Sequence, residues 1–198
     1  TTGTFKRFTR DPNDPESITG DRIRCIYEDR TGTVWIGTVG RGLDRYNRQT
    51  GTFTHFGNEP ADSTSLCSNV IRTVYQDRSG IHWVGTRGGG LDRFDPQTGI
   101  CRNYSFNPNT SNGLSNNNVF VIHEDCEGIL WLGTWGGGLN RFDPETEQFQ
   151  VFTEQDGLAD NSIYGILEDD DGKLWMSTNN GLCCFDPVTL ECFNYSTD

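Results

Sequence analysis

The chain has no uninterrupted apolar run long enough to cross a bilayer as a helix, and only 33% of its 198 residues are hydrophobic. It has no stretch built like a signal peptide, but Thr1 falls in mid-pattern, so a fragment or matured piece is expected, with targeting segments elsewhere. Positive charge is scarce: 16 Lys and Arg face 28 Asp and Glu, leaving a formal net charge of −12. Arg45, Arg93 and Arg141 recur singly and form no block. The concentrated cationic surface that a phosphate backbone needs is therefore lacking, which argues against nucleic acid. Histidine is rarer still. His55, His82 and His123 fall at three different places in the pattern described below, so no shared catalytic or metal-binding cluster is expected. The seven cysteines include no CxxC pair, which argues against zinc, and their odd number precludes a fully paired monomer. Sustained helical periodicity is also missing.

What the chain does have is a repeat. "WIGTVGRGLDRYNR" begins at Trp35, "WVGTRGGGLDRFDP" at Trp83, "WLGTWGGGLNRFDP" at Trp131 and "WMSTNNGLCCFDP" at Trp175, with spacings of 48, 48 and 44 residues. A phosphate-binding glycine loop would occur once and lead from a strand into a helix, so the glycine runs are punctuation of a repeated unit. Periods of this length with a Trp and glycines in each unit mark propeller blades. In the second unit, "VIRTVYQD" (70–77), "IHWVGT" (81–86), the segment stopped by Pro96, and "TGICRNYSF" (98–106) read as four short strands separated by turn residues. The fold expected is all-β, a β-propeller segment of four four-stranded antiparallel blades, itself a fragment of or building block for a larger ring. The blades are placed at 21–57, 69–106, 117–153 and 161–198. "TGTFKRF" (2–8) repeats "TGTFTHF" (50–56), so a surplus outer strand is expected within 1–10.

Some columns hardly change. "EDRTG", "QDRSG", "EDCEG" and "EDDDG" place Asp three residues before Gly, as a hairpin turn requires, and lack the alternating carboxylates of a calcium loop. The Trp column reads as packing between blades. Gly37, Gly85 and Gly133 on the same strand read as points of close sheet approach. Cys101 and Cys192 stand where Phe53 and Phe149 stand in other units, as small apolar substitutes. Cys183 and Cys184 are adjacent and must point to opposite faces, so at most one of them reaches Cys192.

The pattern in "EDRTGTVWIGTVGRGLDRYNRQTGTFTHF" (28–56), with the connector "NPNTSNGLSNNNV" (107–119), resembles the two-component regulator propeller repeat. The resemblance covers nearly the whole chain. It implies the extracytoplasmic sensor region of a bacterial hybrid two-component histidine kinase, periplasmic or extracellular. Such a propeller would sense a nutrient such as an oligosaccharide and signal through a membrane-proximal sandwich domain. The fourth unit departs from the pattern: Ser177 replaces the strand glycine, one loop glycine is missing and "CCF" replaces "DRF", so an irregular last blade is expected.

The loop between second and third strands and the connector between blades are expected on one face of the propeller, the face where a ligand would sit. Within the otherwise fixed "GTxG" the variable residue is Val39, Arg87, Trp135 and Asn179 in turn: a constrained backbone around a side chain free to specialise. An aromatic and an arginine suit sugar stacking and recognition of hydroxyl or carboxylate groups. The candidate ligand residues are Trp135, Arg87, Asn179, Val39 and the connector residue Asn117. No catalytic residue, metal or cofactor is expected. A protein-interaction scaffold is the alternative function, followed by a propeller lyase or hydrolase. An open arc of four blades would leave two apolar flanks, which predicts a homodimer or higher oligomer.

Overall fold

The computed structural model describes residues 3, 5–110 and 112–195. Sixteen strands form four antiparallel sheets, each a meander of four consecutive strands. The first blade comprises β1 (Ile23–Glu28), β2 (Val34–Thr38), β3 (Leu43–Tyr46) and β4 (Phe53–Phe56). The second comprises β5 (Ile71–Gln76), β6 (His82–Thr86), β7 (Leu91–Phe94) and β8 (Cys101–Tyr104). β9 (Val119–Glu124), β10 (Leu130–Thr134), β11 (Leu139–Asp143) and β12 (Gln148–Phe152) make the third. β13 (Ile163–Glu168), β14 (Leu174–Thr178), β15 (Gly181–Phe185) and β16 (Cys192–Tyr195) make the fourth. The all-β, four-bladed architecture expected from the repeats is the one the chain adopts.

The Asp-to-Gly turn does more than reverse the chain. Asp29 Oδ1 accepts the N–H groups of Thr31 and Thr33, while its Oδ2 accepts the indole N–H of Trp35 at 2.9 Å. The same clasp joins Asp77 to Trp83, Asp125 to Trp131 and Asp169 to Trp175, each at 2.7 Å. The turn glycine follows with positive φ, as at Gly32 (79°) and Gly80 (87°), a conformation that any Cβ would strain. Each turn therefore fixes the orientation of its ring, which in the first three blades packs against the next blade. Trp35, Trp83 and Trp131 are each 1% exposed. Trp35 meets Phe94 of the second blade edge-on at 5.5 Å, and Trp83 meets Phe142 of the third in the same way. Buried clusters accordingly span blades one and two, two and three, and three and four.

The strand glycines show why the blades come so close. A Cβ on Gly37 would lie 2.8 Å from Ile71 of the next blade, and one on Gly133 would lie 2.7 Å from Ile163. The fourth blade keeps this geometry by an exchange across the ladder. Cys25, Thr73 and Val121 face Gly37, Gly85 and Gly133, whereas in the fourth blade Gly165 faces Ser177. The small residue has moved to the partner strand, so the expected irregularity does not arise and β13–β16 pair in the common order. Cys183 is the member of the Cys-Cys pair that shares a cluster with Cys192: it is buried in the core between the third and fourth blades, against which Cys192 packs.

The expected surplus strand lies partly outside the described residues. Residues 5–10 carry no strand, and Phe8 packs edge-on against Tyr46 and Phe53 of the first blade. Among the described residues no buried cluster joins the fourth blade to the first. Ile26 of the first blade and Leu167, Leu182, Phe193 and Tyr195 of the fourth are exposed.

Candidate functional site

In the first three blades the loop after the second strand is stitched to the connector that leads into the next blade. Gly40 and Gly42 donate their N–H groups to the carbonyl of Asn69, and Gly88 and Gly90 donate to that of Asn117. The threonine of "GTxG" closes the loop from its own side: Thr38, Thr86 and Thr134 donate their hydroxyls to the carbonyls of Gly42, Gly90 and Gly138. Loop and connector thus share one face, and the side chain between the glycines is displayed on a stiff backbone.

Asn117 is engaged in that stitching. Its side-chain oxygen accepts the N–H of Phe106 at 2.7 Å, as Asn69 accepts that of Asn58. Val39 is half-buried and bridges to Val70. Asn179 accepts the Tyr164 hydroxyl at 2.8 Å and donates to Asp160. Arg87 and Trp135, by contrast, line a common cavity of about 250 Å³ with Arg24, Arg72, Phe120 and Tyr164.

These four partners are a single column of the repeat. The ladder between first and second strands slips between Ile23 and Cys25, between Ile71 and Thr73, at Val119, and between Ile163 and Gly165. Each slip is a β-bulge, which leaves one residue unpaired and re-aims its side chain. The residues so placed are Arg24, Arg72, Phe120 and Tyr164, one per blade. First strands of successive blades lie side by side, so the bulges form one continuous inner rim. Phe120 is its centre. The Arg72 guanidinium sits 4.5 Å over the Phe120 ring, Trp135 stacks on it at 6.3 Å and 14°, and Tyr164 tilts against it at 5.5 Å. Trp135 and Tyr164 remain 47% and 44% exposed, leaving ring surface free for a ligand.

The other half of the cavity is cationic. Burial, together with the charges of Arg24 and Arg87, pulls Arg72 below the ordinary arginine range. Its Nε is buried without a hydrogen-bond partner, and no carboxylate pairs with any of the three arginines among the described residues. The bulge column had a signal in the sequence: a residue that changes from Arg to Phe to Tyr directly after a fixed β-branched one, where strict strand alternation breaks down.

The three histidines lie elsewhere, each tied to a carboxylate: His55 to Asp44 at 2.8 Å, His82 to Asp29 at 3.2 Å and His123 to Glu168 at 3.0 Å. Among the described residues no three His, Cys, Asp or Glu side chains come together as a metal site. A larger cavity of about 510 Å³ on the first blade is lined by apolar residues including Ile23, Ile26, Val34 and Ile36; it is the uncovered flank of the blade.

The family model for the two component regulator propeller matches residues 17–40, 65–88, 113–136 and 157–180. The chain is built from two-component regulator propeller repeats. Each matched segment contains both the bulge residue and the variable "GTxG" residue, so the rim is made wholly within the repeats. Among solved structures, this propeller is similar to the extracellular domain of the hybrid two component system BT3049 from B. thetaiotaomicron (TM-score 0.81, 26% identity, 96% of this chain and 25% of that one). It is similar also to that of BT4673 from the same organism (TM-score 0.79, 26% identity, 96% and 26%). The propeller thus spans about a quarter of the length of these domains. Virginiamycin B lyase from Staphylococcus aureus shares the fold at 16% identity (TM-score 0.67, 91% of this chain and 57% of that one). A search of curated proteins finds no match. No helix among the described residues is long and apolar enough to cross a membrane.

Proposed function

We propose that this propeller is the ligand-sensing part of a bacterial two-component receptor, that it lies outside the cytoplasmic membrane, and that it binds an oligosaccharide on the inner rim. The observation that carries the reading is the convergence of Trp135 and Arg87, from two different "GTxG" loops, with the bulge residues around Phe120. A flat aromatic face with guanidinium groups at its edge suits stacking on a sugar ring with hydrogen bonds to its substituents. The rim holds no nucleophile paired with a base, so its chemistry is that of binding, and occupancy would be relayed to a histidine kinase through parts of the receptor beyond this segment.

A glycan-array screen of the chain followed by calorimetry tests the proposal. Trp135→Ala and Arg87→Ala, both at exposed loop positions, leave thermal unfolding unchanged and weaken binding at least several-fold. If both variants hold the selected glycan as tightly as the parent, the rim is not the site. Turnover of the glycan would instead favour an enzyme.

A further inference from the structure

We propose that the ligand of this rim carries an oxyanion, a carboxylate or a sulfate ester, received by Arg24, Arg72 and Arg87. The inference rests on the oligosaccharide reading and narrows it to acidic sugars.

Three observations lead there. First, a chain of net charge −12 collects three guanidinium groups around one cavity and places no carboxylate among them. Like charges gathered in a partly desolvated place repel one another, and carboxylates elsewhere in this protein take up such cations: Arg48 pairs with Glu28, Arg78 with Glu124 and Arg102 with Glu147. The rim arginines stay uncompensated, which leaves an incoming anion as their partner.

Second, Arg72 is positioned before any ligand arrives. Its guanidinium rests on Phe120 and its Nε is buried without a partner, so its side chain is held while its hydrogen-bonding capacity is unspent. A planar guanidinium offers donors in a fork that matches the two oxygens of a carboxylate or sulfate.

Third, the cavity is short of acceptors. Of the side chains that line it, the three arginines and the Trp135 indole only donate, Phe120 has no polar atom, and the Tyr164 hydroxyl oxygen alone can accept. A neutral sugar brings hydroxyl protons that need acceptors, and this lining has few to give. An oxyanion brings lone pairs and no protons.

The test uses three probes on the intact chain, followed by calorimetry and Trp fluorescence: a dihexuronate, the neutral dihexose of the same linkage, and a monosulfated form of that dihexose. Arg24→Gln/Arg87→Gln is the main variant, because both side chains are exposed and removing their charge disturbs no core contact; Arg72→Gln is the second. A hydrogen bond to a charged group is worth about 1.5 kcal/mol or more, so the parent is expected to prefer an acidic probe roughly tenfold or more, less so as salt rises. The double variant should lose that preference and bind the acidic and neutral dihexoses equally well. Whether the uronate or the sulfate ester binds tighter identifies the source of the oxyanion. Equal binding of neutral and acidic probes, or a preference that survives in both arginine variants, overturns this inference and leaves sugar binding intact. Failure of all three probes, with inorganic sulfate also failing to perturb Trp fluorescence, overturns both. If sulfate binds to the parent and not to the double variant while no sugar binds, the anion site stands and the oligosaccharide reading falls.

Discussion

Replacing Trp83 by alanine removes a ring that is 1% exposed, meets Phe142 of the next blade edge-on at 5.5 Å and donates to Asp77 at 2.7 Å. Truncation of a buried Trp costs about 3 to 5 kcal/mol. The upper part of that range applies, because Asp77 is itself buried and would lose a donor to its carboxylate. Trp175 occupies the same column with the same clasp to Asp169, but it is only half-buried and its ring contact is Tyr195 of its own blade. With no further blade against it, Trp175→Ala should cost about half as much or less. In a chain of this size 1 kcal/mol moves the melting temperature by about 2 to 4 °C, so Trp83→Ala should melt roughly 10 °C or more below the parent and Trp175→Ala much nearer to it. Trp83→Phe keeps most of the ring and loses the N–H; it isolates the clasp at about 1.5 to 3 kcal/mol. Far-ultraviolet circular dichroism melts, with urea titrations to check that the m-value is unchanged, supply the comparison. Equal losses for Trp83→Ala and Trp175→Ala would refute the argument that burial between blades, rather than turn formation, is the main contribution of this column.

Gly133→Ala places a Cβ 2.5 Å from Val121 and 2.7 Å from Ile163, so it should destabilise by about 1 to 3 kcal/mol, whereas Ser177→Gly, at an exposed position in the fourth blade, should change the urea midpoint little; a harmless Gly133→Ala would show that the blades can separate at no cost. For Asp29, burial works against ionisation, but donors from Thr31, Trp35, Thr33 and His82 outweigh it and hold the carboxyl down at about 2. A carboxyl more acidic folded than its unfolded value of about 3.9 adds stability above that value and loses it as pH falls towards 2. The urea midpoint of the parent should therefore drop between pH 4 and 2 more steeply than that of Asp29→Asn, and parallel curves would count against the clasp. The two apolar flanks, with Ile26 exposed on one and Leu167 and Phe193 on the other, should pair between copies; light scattering at micromolar concentration should give a multiple of 22.2 kDa, and a monomer mass would sink the idea.

What could be read from the sequence alone is what repeats. The turn Asp and Gly, the Trp column and the loop threonines occupy the same place in each blade, and the strand glycines in the first three, so comparing one unit with the next separates them from the rest. Their reasons are local or nearly so: a positive φ, a two-residue strand period, a ring at a fixed distance from its turn. Even the irregular fourth unit follows once Gly165 and Ser177 are seen as ladder partners, a fact of register. The Asp–Trp clasp was half visible, since the spacing is constant while the N–H donation depends on how the hairpin twists.

The rim was decided by the tertiary structure. Arg24, Arg72, Phe120 and Tyr164 fall in one column of the repeat and Arg87 and Trp135 in another, and no column comparison shows that the two columns meet. Two physical events bring them together: a bulge in each first strand, which turns one side chain out of the alternating pattern, and the packing of first strands side by side along the inner edge. Asn117 shows the converse. It lies on the expected face, yet its side chain is committed to Phe106, because a connector that crosses between blades must satisfy the backbone groups it leaves behind. Sequence periodicity therefore determines the blade, while the curvature of the stack determines which of its variable side chains meet.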